Sequence, residues 1–284
     1  SGDRINIAVK EEASGTYNMS GGTLNVTGEI RASSGNAVFN MTGGTVNVAD
    51  RVRIPKKPDG QAHVQIDGGT MNAHEFLIEQ NGGSLDITGG TLNTDNFDID
   101  QPGGSFDISG GVMNVNDPGG SEMVEIYGYI GEGQMTALDG ERFPLVSRDD
   151  VNGITRLTAP TDMNVAWGPD PIHIAGPIKA PPNNVTLSWN SGDSAAEHDI
   201  YFGDVKQLVS TAEKSSDLFQ GTKSLNDTEF TIAELEKGKT YFWRIDEVND
   251  SNPDSPWKGP VWQFSTDEFF VVDDFEGYAD TTDM

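Results

Sequence analysis

The chain has 284 residues, no cysteine, 34 glycines and a formal net charge of −27. Without cysteine there is neither a disulfide scaffold nor a thiol nucleophile, and so acidic a balance argues against nucleic acid as a partner. No apolar run approaches the roughly 20 residues that cross a bilayer as a helix, so no membrane span is expected. No signal peptide opens the sequence, and both ends read as cut from continuing structure.

The opening "SGDRINIAV" reads as a strand, with Ile5 and Ile7 on one face. A phrase then returns five times, as "SGGTLNV", "TGGTVNV", "DGGTMNA", "TGGTLNT" and "SGGVMNV", its glycine pairs beginning at Gly21, Gly43, Gly68, Gly89 and Gly110. Intervals of 21 to 25 residues are the period of a solenoid. Before each glycine pair a run alternates with period two, placing Tyr17/Met19, Phe39/Met41, Val64/Ile66, Leu85/Ile87 and Phe106/Ile108 on one face. After the pair a second run alternates likewise, and a third apolar run ("EIRAS", "RVRIP", "FLIEQ", "NFDID") closes the unit. Three short strands in the same order in every unit predict like-on-like stacking, a parallel β-solenoid climbing about 4.8 Å per coil. The glycine pair is then a corner needing φ freedom. A phosphate loop is excluded, since no helix follows and no lysine sits beside the glycines.

Asn25, Asn47, Asn72, Asn93 and Asn114 hold one position in five units, with Thr23, Thr45, Thr70 and Thr91 beside them. Stacked amides form a hydrogen-bonded ladder, a structural device of in-register β-stacks. The other reading of this array is a flat face matched to a crystalline or polymeric ligand. Asp86 and Asp107 share an outward column one coil apart, and close carboxylates repel or recruit a cation; oxygen ligands suit calcium, so these two are the candidate metal residues. Arg31, Arg51, Arg53, Lys56 and Lys57 form the one basic cluster of this half, either a solvated face balancing carboxylates or a site for an acidic glycan.

After Val115 the phrase stops, although "MVEIYGYI" and "ITRLTA" still alternate. Residues 1–115 are therefore assigned to the coils and 116–158 to a terminal cap that closes the last open edge. From Ala159 prolines crowd the sequence (Pro160, Pro169, Pro171, Pro177, Pro181, Pro182), a stiff entry to a new domain. Strands follow in "NVTLSWN", "HDIYFGD", "TYFWRIDEVND" and "GPVWQFST", with Trp189 placed for a sandwich core. Leu235, Gly238 and Tyr241 in "LEKGKTYFWRI" have the spacing of a tyrosine corner. Residues 159–267 resemble a fibronectin type III domain on these strands together. Trp257 and Trp262 read as core residues or as a sugar platform.

The whole arrangement resembles that of large secreted bacterial proteins in which glycine-rich solenoid repeats precede a fibronectin-like module bearing "HDIYFGD" and "YFWRIDEVN". In such proteins a laminin-G or galactose-binding jelly roll follows, opening with a phrase similar to "VVDDFEGYAD", here residues 271–280. The resemblance implies that residues 268–284 start a further domain or linker and that the chain is secreted or held at the cell surface. No catalytic residues are assigned: the four histidines, His63, His74, His173 and His198, lack metal-ligand spacing, and no serine stands in an elbow motif. The expectation is an all-β, non-catalytic structural or adhesive module, a rigid spacer associated with polysaccharide. The alternative is a β-helix carbohydrate-active enzyme (polysaccharide lyase or glycoside hydrolase), or its accessory domain. The opening strand is expected to belong to an incomplete coil and to support end-to-end self-association.

Overall fold

A computed structural model of the chain describes residues 3–32, 34–170, 177–178 and 185–266. The chain divides into two compact units, residues 1–162 and 163–284. The first is built on β1 (Ile5–Ile7), β2 (Ser14–Val26), β3 (Ile30–Ala32), β4 (Asn36–Ile54), β5 (Gln61–Ile78), β6 (Gly83–Ile87), β7 (Thr91–Ile99), β8 (Ser105–Ile108) and β9 (Val112–Asn116). These strands pair in parallel with like residues aligned. One column runs Tyr17, Phe39, Val64, Leu85, Phe106; a second runs Leu24, Val46, Met71, Leu92, Met113; a third runs Ile30, Val52, Phe76, Phe97. The predicted solenoid of three-sided coils is present. Its interior is almost wholly apolar, and each Leu, Ile or Phe buried there contributes about 1.5–3 kcal/mol. Phe76 stacks on Phe97 at 5.9 Å, and Phe97 meets Phe106 edge-on at 5.7 Å.

The corners need glycine for two reasons. The second glycine of each pair has φ between 67° and 85° (Gly22, Gly44, Gly69, Gly90, Gly111), a region that L side chains rarely enter. The coils also touch there: a Cβ on Gly90 would lie 2.7 Å from Gly68 C and from Gly69 O.

The cap comprises α1 (Ser121–Gly131), β10 (Met135–Ala137), β11 (Leu145–Asp149) and β12 (Ile154–Thr158). β12 lies antiparallel on β9, and β11 antiparallel on β12, which ends the parallel ladder with a hairpin. The "MVEIYGYI" segment corrects the sequence reading, because it is helical rather than extended. Met123, Ile126 and Ile130 fall on one helical face and are buried, a period the eye takes for alternation. Asp117 starts this helix: its carboxylate, 1 % exposed, accepts the backbone N–H of Glu122 (3.3 Å) and Met123 (3.1 Å), the Thr155 hydroxyl (2.9 Å) and Arg148 Nη1 (2.8 Å). Burial pushes the Asp117 pKa up, but these four donors outweigh it and hold the carboxyl below its ordinary value.

The second unit contains β13 (Trp167–Asp170), β14 (Pro177–Ile178), β15 (Val185–Asn190), β16 (Glu197–Gly203), α2 (Lys206–Thr211), β17 (Phe219–Ser224), β18 (Glu229–Ile232), β19 (Thr240–Val248), β20 (Trp257–Lys258) and β21 (Trp262–Thr266). They form two sheets, ordered β13-β15-β18 and β14-β21-β19-β16-β17, with β20 added to β19. One apolar cluster draws on both sheets, with Leu187, Trp189, Ile200, Tyr241, Trp243, Ile245 and Phe264 buried in it. The Tyr241 hydroxyl accepts the backbone N–H of Glu236 at 2.9 Å, a bond reaching back across the Leu235–Tyr241 segment. Trp262 packs on Trp243 at 4.6 Å and Trp257 is 9 % exposed, so both tryptophans belong to the packing of this unit. Among the described residues no helix is long and apolar enough to cross a membrane. Residues 268–284, with the phrase at 271–280, and His173 lie outside the described residues.

Candidate functional site

The asparagine column is an unbroken ladder. The side-chain amide of Asn47 donates to Asn25 Oδ1, Asn72 to Asn47, Asn93 to Asn72 and Asn114 to Asn93, each at 2.8 Å. Arg156 Nε of the cap donates to Asn114 Oδ1 at 3.1 Å and terminates the series. An asparagine carries two N–H donors and an oxygen with two lone pairs. The ladder consumes one of each at Asn47, Asn72 and Asn93, leaving an outward N–H and a lone pair on every one. The structural reading is thus correct, and it does not exhaust the chemistry of the column.

Immediately after each asparagine the chain turns inward at Val26, Val48, Ala73, Thr94 and Val115, all buried, before the third face begins. This bend makes a groove running across the coils. The ladder forms one wall; Thr27, Ala49, His74 and Asp95 form the other, with Asn116; Asn152 and Ile154 of the cap line one end. The groove is an open trough of about 790 Å³ drawn out along five coils. Two coils carry one residue more at the bend than the next two: Val48 aligns with Ala73, while Arg51 aligns with Glu75.

The only charged groups on the groove wall are His74 and Asp95, paired at 2.8 Å between Nδ1 and Oδ2. The hydrogen bond to Asp95 raises the His74 pKa, aided by the charges of Asp95, Glu75 and Asp50 against a small cost of lost solvent. Asn116 Nδ2 donates to the other oxygen of Asp95 at 3.1 Å, so a short second ladder faces the first. Among the described residues no Phe, Tyr or Trp and no Lys or Arg lines the groove.

Asp86, Asp107 and the basic cluster do not line this groove. Asp86 and Asp107 are aligned on neighbouring coils as expected. Asp107 accepts Ser109 Oγ (2.8 Å) from its own coil, and Thr136 Oγ1 (2.8 Å) and the backbone N–H of Asp139 (3.3 Å) and Gly140 (3.1 Å) from the cap. Asp86 lies 3.8 Å from His63 Nε2. Partial burial raises the Asp86 pKa, with Asp107 and Asp139 adding to the effect against the pull of His63. Among the described residues no group of three or more His, Asp or Glu is arranged to hold a metal. The arginines of the basic cluster are paired: Arg31 with Glu29 (3.2 Å), Arg51 with Asp50 (3.1 Å), and Arg53 with Glu79 through Nε (3.0 Å) and Nη2 (2.5 Å). These contacts support the balancing face over the acidic-glycan site.

Sequence reasoning missed one constellation in the second unit. His198 Nδ1 lies 2.5 Å from Glu247 Oε2, both side chains fully buried, and Ser191 Oγ is 3.5 Å from His198 Nε2. The order has the outline of a nucleophile, base and acid. The proton bookkeeping opposes that role. Nε2 faces the Leu225 carbonyl oxygen at 3.0 Å, and Ser191 Oγ donates to the same oxygen at 3.3 Å. With a carboxylate at one nitrogen and a carbonyl at the other, the ring donates twice and has no lone pair to take a proton from Ser191. Burial lowers the His198 pKa, but the Glu247 and Leu225 hydrogen bonds and the Glu247 charge outweigh it and raise the value. His198 and Glu247 are a buried structural ion pair. No known protein-family model matches the chain, and no curated protein is significantly similar to it.

Proposed function

We propose that this chain is a non-catalytic structural or adhesive module, secreted or cell-surface, which acts as a rigid spacer and holds an extended polysaccharide along the groove beside the asparagine ladder. The observation that carries this reading is the groove itself, continuous over five coils, lined by amides with unused donors and acceptors, and bordered by few ionisable groups. Repetition favours a polymer, because each coil offers the same contacts about 4.8 Å further on, and linked weak sites gain affinity together. In the second unit, the two-sheet core around Trp189 and the Tyr241–Glu236 hydrogen bond support a fibronectin type III-like module that projects or tethers the solenoid. The resemblance to modular secreted bacterial proteins supports the location.

The alternative, a β-helix polysaccharide lyase or glycoside hydrolase, draws on the exposed His74–Asp95 pair. One experiment separates the two. The chain, incubated with suspended insoluble polysaccharides, is expected to sediment with at least one of them while releasing no reducing ends and no unsaturated sugars over a day. Product release abolished by His74→Ala would establish the enzyme instead.

A further inference from the structure

We infer that the groove takes a neutral, hydroxyl-bearing glycan laid parallel to the solenoid axis and discriminates against glycans that carry carboxylates; this rests on the polysaccharide-holding reading above. The first argument is hydrogen-bond matching. Asn47, Asn72 and Asn93 each retain one donor and one acceptor facing out, repeated at strand spacing. A hydroxyl both donates and accepts and satisfies such an amide fully. A carboxylate only accepts, which leaves every amide oxygen it covers unpaired and desolvated.

The second argument is charge. The groove wall offers no Lys or Arg, and His74 on it is already paired with Asp95. Asp50 and Glu75 act on the same stretch of wall but share Arg51, at 3.1 and 3.5 Å, and the chain as a whole carries −27. Along the middle coils a uronate would meet the Asp95 carboxylate with no Lys or Arg on the wall to offset it. Arg156, at the capped end, spends its Nε on Asn114. The third argument concerns how binding scales. With no Phe, Tyr or Trp in the groove, no large aromatic platform stacks on a sugar. Affinity must then accumulate from repeated amide contacts and rise steeply with chain length.

Isothermal titration of the whole chain with cellohexaose, xylohexaose, laminarihexaose and hexagalacturonate tests this. At least one neutral hexamer is expected to bind at least tenfold more tightly than hexagalacturonate and more tightly than its own trimer. Asn72→Asp should weaken that neutral binding tenfold or more. Because Asn72 also supports the fold, Ala49→Glu provides a second variant: Ala49 is exposed on the opposite wall, so the change adds charge and bulk without touching the ladder, and it too should weaken binding tenfold. Hexagalacturonate binding as tightly as every neutral hexamer would overturn the inference and leave the groove as a glycan site. Neutral binding unmoved by Ala49→Glu would overturn the location. Failure of all four hexamers to bind at millimolar concentration would overturn the glycan-holding reading itself.

Discussion

Gly90→Ala is expected to destabilise the solenoid unit by about 2–5 kcal/mol, whereas Gly22→Ala costs only about 1–2 kcal/mol. Both glycines stand at the same corner of their coils with nearly the same backbone, φ 71° and 75°. A left-handed φ alone costs an L residue about 1–2 kcal/mol. The difference lies in what surrounds the new methyl group. At Gly22 nothing comes within 4 Å, while at Gly90 the backbone of the coil below is 2.7 Å away and has no side-chain end that could give. Relief there requires prising two coils apart across the ladder, an overpacking cost of about 1–3 kcal/mol beyond the strain. Chemical denaturation followed by far-ultraviolet circular dichroism reads both variants. Equal losses at the two positions would mean that coils do not close on each other at the corners.

Arg244→Ala should be the most damaging single change in the second unit, at about 3–5 kcal/mol. Arg244 is 1 % exposed, and all five of its donors are used. Nε and Nη2 grip Asp246 at 2.7 and 2.9 Å, and the remaining hydrogens go to the carbonyls of Val209 (2.5 Å), Ser210 (2.7 Å) and Ala212 (2.8 Å), which end α2. The guanidinium also lies 4.2 Å from the Tyr201 ring centroid. Removing it orphans a buried carboxylate and the end of a helix together. Burial already raises the Asp246 pKa, against the pull of Arg244, the Gly259 N–H and Lys258. Arg244→Lys should rescue little, since an ammonium has three donors and no planar fork. Arg244→Met with Asp246→Leu should recover part of the loss by removing the orphaned charge, but not all, because the α2 carbonyls stay unpaired. All five tryptophans, Trp167, Trp189, Trp243, Trp257 and Trp262, lie in this unit, so their fluorescence in a urea titration reports it separately from the solenoid. A fluorescence transition within 1 kcal/mol of the parent's would contradict the buried network.

The two units differ in how much of them was legible. The coils could be read residue by residue, because each face is half-buried and the same corner recurs: Leu92 lies over Met71 for the same reason that Asn93 lies over Asn72. Repetition turns a local pattern into a long-range one. The helix in the cap defeated the same reading. Met123, Ile126 and Ile130 satisfy a helical period, and the contacts that select it come through Asp117 from Thr155, 38 residues further along. The groove was invisible for a different reason. Its walls, Asn72 and His74, flank an inward residue, and only the direction of the bend at Ala73 turns two outward side chains into a channel. Nor does "WRIDEVN" announce that its charges are buried. On a sheet with one wet face Arg244 and Asp246 would face solvent and Glu247 the core, but residues 243–248 are all buried: the end of α2 lies over Arg244, and Gly192 and His198 meet Glu247 on the other face. The helix that covers that face of Arg244 stands 32 to 35 residues earlier in the chain, a contact no single strand's sequence carries.

The stacking of the coils can be measured across its full height. The chain contains no cysteine, so Thr23→Cys and Val112→Cys can carry one spin label each without competition. These positions are separated by most of the first unit, yet they belong to one column, Thr23–Thr45–Thr70–Thr91–Val112. Four strand spacings of about 4.8 Å place them about 19 Å apart. Double electron–electron resonance on the doubly labelled chain should give a narrow distance distribution centred near that separation. A broad distribution, or a mean far beyond four strand spacings, would show that the repeats do not stack in register, and the ladder and its groove would fall with them.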